Sequence, residues 1–215
     1  MSKFENPALK EFTAHIGDDL ALAQVFIRRA GTGYELRHAT DCEAAANTLR
    51  EIKLVEARKL AQYTVTGEFR PLKSAPTLPR GWRLSVTDIA GLEAALDMLY
   101  PGAVADWFAA RAQKPPVTNY RDYTNRQSGM YRVTAMLTDA QAGDVVREVC
   151  APDACLKRRL WTVTGLDPDA PESKSIIPCL EPCAVLLEAA RKAFRAGQKE
   201  AETGGSALAD GAGMH

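Results

Sequence analysis

Four of the five cysteines of this chain lie in two short stretches, "CAPDACLKRRLW" and "IPCLEPCAVLLEAARKAF": Cys150, Cys155, Cys179 and Cys183. Their spacing is Cys-x4-Cys, 23 intervening residues, then Cys-x3-Cys. Paired thiols at such spacing do one of three things. They cross-link, they hold a zinc ion, or they hold an iron–sulfur cluster. A disulfide is disfavoured in a reducing compartment. Zinc sites draw on ligand pairs two to four residues apart, so both spacings are permitted. A four-iron cluster is larger and tolerates wider, less regular spacing. With four thiolates its oxidised form carries a charge of about −2. The surroundings suit such an anion. Cys179 and Cys183 stand before and at the start of a helix, whose unpaired N–H groups and positive dipole end face outward there. Lys157, Arg158 and Arg159 follow Cys155 closely, either as cations for the cluster or as a solvated basic turn. The residues alone put a 4Fe–4S cluster ahead of zinc, with zinc as the runner-up.

The remaining chemistry-bearing residues are sparse. Cys42 stands alone and is not expected to be a ligand. His15 and His38 have no neighbours at ligand spacing, and His215 lies at the end of the chain. There is no Ser/His/Asp set, P-loop or G-x-G-x-x-G, so catalytic residues remain unassigned. One basic loop, "GEFRPLKSAPTLPRGWRL", carries Arg70, Lys73, Arg80 and Arg83 and is a candidate site for carboxylate groups.

Composition bounds the context of these thiols. Hydrophobic residues make up 46% and charged residues 25%, and 27 Lys+Arg balance 27 Asp+Glu. Nothing in this points to nucleic acid or to a membrane surface. The start "MSKFENPALKEF" is polar and lacks the apolar core of a secretory signal. No apolar run reaches the roughly 20 residues of a membrane span. A cytoplasmic protein is expected.

The elements that must position the cysteines read as follows. "AQVFIRRAGTGYELRHATD" predicts a β-hairpin turning at Gly31-Thr32-Gly33. "REIKLVEARKLAQYT" predicts a helix of about three turns. The three prolines of the basic loop argue against a regular element. "SVTDIAGLEAALDMLYPG" predicts a helix capped by Thr87 or Ser85, and "AVADWFAARAQ" a further short one. "KPPVTNYRDYTNRQSG" reads as a polar connection and "MYRVTAML" as a strand. "TDAQAGDVVREVC" has a capping box, Thr138 with Gln141, and delivers Cys150 at its C-terminal end. "LKRRLWTVTG" is a possible strand, and Pro182 is expected to open the last helix. The loop "DPDAPESKS" has no apolar side chains, so little besides a metal is expected to hold the cysteine-bearing ends together. The fold class expected is α+β: an α+β domain over residues 1–125, a small α/β iron–sulfur domain over 126–196, and a mobile tail over 197–215.

Four segments in order, "GEFRPLKSAPTLPRGWRL", "LDMLYPGAVADW", "TNRQSGMYRV" and the "CAPDACLKRRLW … IPCLEPC" pair, carry a family resemblance. From about residue 20 to 195 the chain resembles the C-terminal half of bacterial multidomain proteins. Those proteins begin with sirohydrochlorin cobaltochelatase-like domains of cobalamin and siroheme synthesis. They continue with a stabilising domain and end in a 4Fe–4S domain. The resemblance implies that Cys150, Cys155, Cys179 and Cys183 are cluster ligands. It also implies a redox or accessory role beside tetrapyrrole enzymes. The alternative is a non-catalytic interaction module with a structural metal. The sequence shows no chelatase-like domain and no candidate metal-inserting histidine pair, so chelatase activity does not carry over. A separate chelatase or redox enzyme is the expected partner.

Overall fold

A computed structural model describes residues 6–16, 19–63, 66–69, 75–113, 117–171 and 174–209. The class is α+β, as the sequence implies. The chain folds as two compact units that interleave along the sequence. The first takes residues 1–116, 152–160 and 169–180; the second takes 117–151, 161–168 and 181–215. The packed units therefore do not follow the contiguous division at residue 125.

The first unit is a five-stranded sheet covered by helices. Its strands are β1 (Asp19–Leu22), β2 (Val25–Ala30), β3 (Gly33–His38), β4 (Arg50–Glu51) and β5 (Trp82–Val86), in the order β1-β2-β3-β5-β4. The expected hairpin is β2–β3, with Ala30 paired to Gly33. Gly31 has φ +59°, which suits the first central position of a type II′ turn. Gly33 is required for a different reason: a Cβ there would lie 2.1 Å from the Val86 carbonyl oxygen. Along β2 the pattern is strict, with Val25 and Ile27 wholly buried.

Four helices belong to this unit: α1 (Pro7–Ile16), α2 (Ala57–Gln62), α3 (Ile89–Leu99) and α4 (Ala103–Phe108). α3 presents Leu92, Leu96 and Leu99 to the core at helical spacing. They meet Leu36, Trp82 and Leu84 of the sheet in one cluster. Ile177 is wholly buried in the same cluster, and Leu156 packs against it.

Several local expectations gave way to tertiary contacts here. The N-cap of α3 is Asp88, whose carboxylate accepts from the Gly91 amide at 2.8 Å, not Thr87 or Ser85. The helix predicted from residue 50 shrinks to α2, because Arg50 and Glu51 pair in parallel with Trp82 and Arg83. The proline-rich loop ends in strand β5, where no regular element was expected.

The second unit is built from α5 (Tyr120–Asn125), a 3-10 helix over Gly129–Met136, α6 (Asp139–Val149) and α7 (Ala184–Ala209). α5 lies inside the segment read as a polar connection, with the Asn119 side chain accepting from Arg121 N. The alternating "MYRVTAML" is not a strand but that 3-10 helix. Its carbonyls find partners on α5. The Tyr120 hydroxyl donates to Thr134 O, and Arg121 donates to the carbonyls of Ala135 and Leu137. Thr134 is wholly buried while Met130 and Met136 are exposed, which is a helical division of faces rather than a period of two. The Tyr120 ring packs near Trp161, also wholly buried, and burial pushes its phenol up to about 12. The tail expected from residue 197 instead continues α7 to Ala209. Its Ala, Gln, Lys and Glu residues are good helix formers, and extending an existing helix needs no new nucleus.

One buried titratable group makes the first unit sensitive to acid. His38 is 3% exposed. Its Nδ1 accepts from the Thr40 amide at 3.2 Å, which requires the neutral ring. Burial holds the imidazole below its usual range, Arg80 adds to the depression, and Asp41 opposes it. The unfolded chain therefore binds the extra proton first. Stability is complete above the unfolded value of about 6.5 and is lost as pH falls from there toward the folded value. The urea midpoint should drop between about pH 7.5 and pH 5.5, and His38→Gln should shrink that drop. An identical drop in the variant would show that other groups cause it.

Candidate metal centre

Each cysteine of the two pairs sits where regular structure stops. Cys150 is the C-cap of α6, its amide bonded to Val146 O at 2.9 Å. The other end of α6 is held as the sequence predicts: Thr138 Oγ1 accepts from Gln141 N, and Gln141 Oε1 accepts from Thr138 N. Ala142, Val145 and Val146 bury the inner face of α6. Cys155 follows a turn at residues 152–154, just before Leu156, whose amide bonds to Ala75 O at 3.1 Å. Cys179 lies in a short parallel ladder of β6 (Arg158–Arg159) and β7 (Pro178–Cys179), directly opposite Arg159. Cys183 immediately precedes α7, and its carbonyl accepts from Leu187 N at 3.0 Å. The helix thus starts one residue after Cys183 rather than at Pro182. The first N–H groups of α7 lack helical partners, and the dipole is positive there.

Cys155 and Cys179 belong to the first unit, Cys150 and Cys183 to the second. None of the four forms a disulfide, and all are half-buried. In the second unit Tyr123 is a neighbour of Cys183: burial, with Glu181 and Cys183, raises its phenol above the usual range. Among the described residues no three His, Cys, Asp or Glu side chains are already gathered to hold a metal ion. The donor set nonetheless fits a thiolate-ligated centre. It is composed of sulfur alone, and soft thiolates select iron–sulfur clusters and zinc over harder cations.

The structure places the other sequence candidates as follows. Cys42 caps a 3-10 turn over Ala39–Asp41, and its carbonyl accepts from Arg37. Arg70 and Lys73 lie outside the described residues. Arg80 is exposed. Arg83 is already engaged, 2.7 Å from Glu51 and 3.6 Å from Glu35, so it is not available to an anion as expected. A cleft of about 380 Å³ in the first unit, with Glu93, Asp97 and Tyr100 in its walls, contains no cysteine or histidine.

The sequence reading missed an ionic group beside two of the thiols. Lys157 is buried and pairs with Asp106 of α4. Asp169 accepts from the Arg159 amide at 2.8 Å, and its own amide donates back to the Arg159 carbonyl. Its carboxylate also lies 3.6 Å from the Arg159 guanidinium and 3.2 Å from Lys174 Nζ. With Ile177 in the core and Ser175 Oγ donating to Leu156 O, these bonds hold the segments without a metal. These contacts join the segments of Cys155 and Cys179 within the first unit. The available signal was the one Asp and one Lys of "DPDAPESKS" that face "KRR".

Comparison with known proteins supports the cofactor. Residues 112–192, which contain all four cysteines, match the model of a 4Fe–4S iron–sulfur cluster binding domain. Residues 8–111 match the DR2241 stabilising domain. The protein is thus an iron–sulfur protein, its cofactor a 4Fe–4S cluster. A solved structure with the same arrangement is DR2241 of Deinococcus radiodurans. It is described as a multi-domain protein with structural similarity to chelatases and two additional novel domains. The match has a TM-score of 0.72 and 28% identity, and covers 87% of this chain but 41% of DR2241. This chain therefore corresponds to well under half of that protein. No curated protein matches the sequence significantly. No helix among the described residues is long and apolar enough to cross a membrane.

The cap of α6 is the local device nearest Cys150. Thr138→Ala removes one side of the capping box and is expected to destabilise the protein by about 1 kcal/mol in urea denaturation. Thr138→Ser should be close to wild type. A Thr138→Ala midpoint equal to wild type would show that the box does not hold this helix.

Proposed function

We propose that this protein is an accessory redox protein of tetrapyrrole metabolism, in which Cys150, Cys155, Cys179 and Cys183 hold the cluster. The observation that carries the reading is the set of four half-buried thiols, none in a disulfide, within the 4Fe–4S domain match over residues 112–192. A 4Fe–4S cluster bound there accepts and returns one electron.

The chain's own residues provide the setting. α6 and α7 deliver Cys150 and Cys183 from a helix end and a helix start. The core residues Leu156 and Ile177 anchor the segments of Cys155 and Cys179. The first unit supplies the core on which the segments of Cys155 and Cys179 rest. The link to tetrapyrroles rests on the chelatase likeness reported for DR2241 and on the resemblance of the sequence to cobalamin and siroheme proteins. The partner is a separate chelatase or redox enzyme in the cytoplasm, to which the cluster passes electrons or reports redox state. The competing role, a metal that merely staples the domain, is weakened by the core contacts and ion pairs that already secure Cys155 and Cys179.

Anaerobic purification followed by iron, sulfide and zinc analysis tests the reading. About four irons and four sulfides per chain are expected, with reversible one-electron reduction. Replacing any of the four cysteines by Ser should lower iron content several-fold, while Cys42→Ser should leave it unchanged. Stoichiometric zinc without sulfide would overturn the reading, and a cluster that cannot be reduced would leave only the structural role.

A further inference from the structure

Arg159 occupies an unusual place for a cation. It stands directly opposite Cys179 in the β6–β7 ladder, so the two side chains leave the ladder on the same side. Its side chain is 6% exposed. Arginine is rarely buried to that degree unless it is paired. Its position is over-determined: backbone and carboxylate of Asp169 bind backbone and guanidinium of Arg159. The same carboxylate is shared with Lys174, whose side chain is 5% exposed. Two buried cations are thus fixed around one carboxylate, and one of them faces a cysteine of the cluster-binding segment.

We infer that the Arg159–Asp169–Lys174 group sets the reduction potential of the cluster through its charge at Cys179. The inference rests on the reading that Cys179 is a ligand. Taking up one electron from an external one-electron donor changes the cluster and its thiolates from about −2 to about −3, and no bond is made or broken. Fixed cations in a region of low dielectric favour the more negative form. Burial prevents water and salt from screening them. Cluster potentials respond to net charge and to hydrogen bonds at the sulfurs. Asp169 has two opposed effects: it holds both cations in place, and its own charge partly cancels theirs.

This produces a test by sign. Potentiometric titration of the cluster, followed by EPR and absorbance, is carried out on Arg159→Gln, Lys174→Gln, Arg159→Lys and Asp169→Asn. At a fixed ambient potential near the wild-type midpoint, Arg159→Gln should lower the reduced-to-oxidised ratio about tenfold, which is 59 mV for one electron. Lys174→Gln should move it in the same direction by less. Arg159→Lys should recover most of the shift. Asp169→Asn, whose amide oxygen can still accept from the Arg159 amide, should shift the potential upward. Arg28→Gln, a half-buried cation of β2 paired with Asp19, should not change it. A merely structural role would move all these variants together, through lost iron or broadened signals, rather than in opposite directions. If Arg159→Gln fails to fold, Lys174→Gln and Asp169→Asn still give the two signs. Unchanged potentials at full iron and sulfide content overturn the inference. Absence of sulfide from the wild-type protein would instead overturn the cluster reading on which it rests.

Discussion

A single carboxylate, Asp169, joins two stretches of the first unit, 152–160 and 169–180. It receives the Arg159 amide, returns a bond from its own, and gathers Arg159 and Lys174 around its oxygens. The ladder it secures is only two residues long on each side. Such a ladder is too short to persist by backbone pairing alone. Side-chain ion pairs and core anchors complete it. Ile177, before β7, belongs to the main core, and Leu156, before β6, packs against it. Cys179 and Cys155 are therefore carried by segments whose positions the core and Asp169 determine.

The two thiols of the second unit are positioned by other means. Cys150 ends a helix whose start is capped and whose inner face is apolar. Cys183 precedes a helix that packs on α6 and on the 3-10 helix. Cys150 and Cys183 flank helices, Cys155 lies in the loop before β6, and Cys179 is part of the short ladder itself. The rigid parts nearby fix their general location. This division suits a cofactor that arrives after the polypeptide has folded.

Charge is distributed with similar economy. Net charge over the whole chain is zero, so nothing in the composition marks a region as cationic. The local pattern is different. Lys157 and Arg159 are buried on one side of a strand segment and are matched by Asp106 and Asp169 from distant parts of the sequence. Burying these cations without partners would be prohibitive, and the pairs make it tolerable. The polar sheet face uses the same device with Arg37, Arg83, Glu35 and Glu51. That use removes Arg83 from the set of cations free to meet a ligand.

Much of the site was legible in the sequence, because the signals were local. The capping box of α6, the β2–β3 hairpin and the amphipathic α3 each depend on residues a few positions apart, and each formed. The four cysteines stand out by spacing and chemistry, which leave zinc open beside a cluster; the 4Fe–4S cofactor comes from the domain match. What the sequence did not determine depended on partners far along the chain. "MYRVTAML" alternates like a strand, yet Tyr120 and Arg121 take its carbonyls and it coils as a 3-10 helix. Arg50 and Glu51 continue a helical pattern, yet a vacant edge of β5 pairs with them. "DPDAPESKS" lacks large apolar residues, yet its Asp169 binds Arg159 ten positions away and also pairs with Lys174. Spacing within one element is written in the sequence because the helix and strand repeats are fixed by covalent geometry. Pairing between elements is decided only in the tertiary structure, where burial makes each unsatisfied charge or backbone group find a partner.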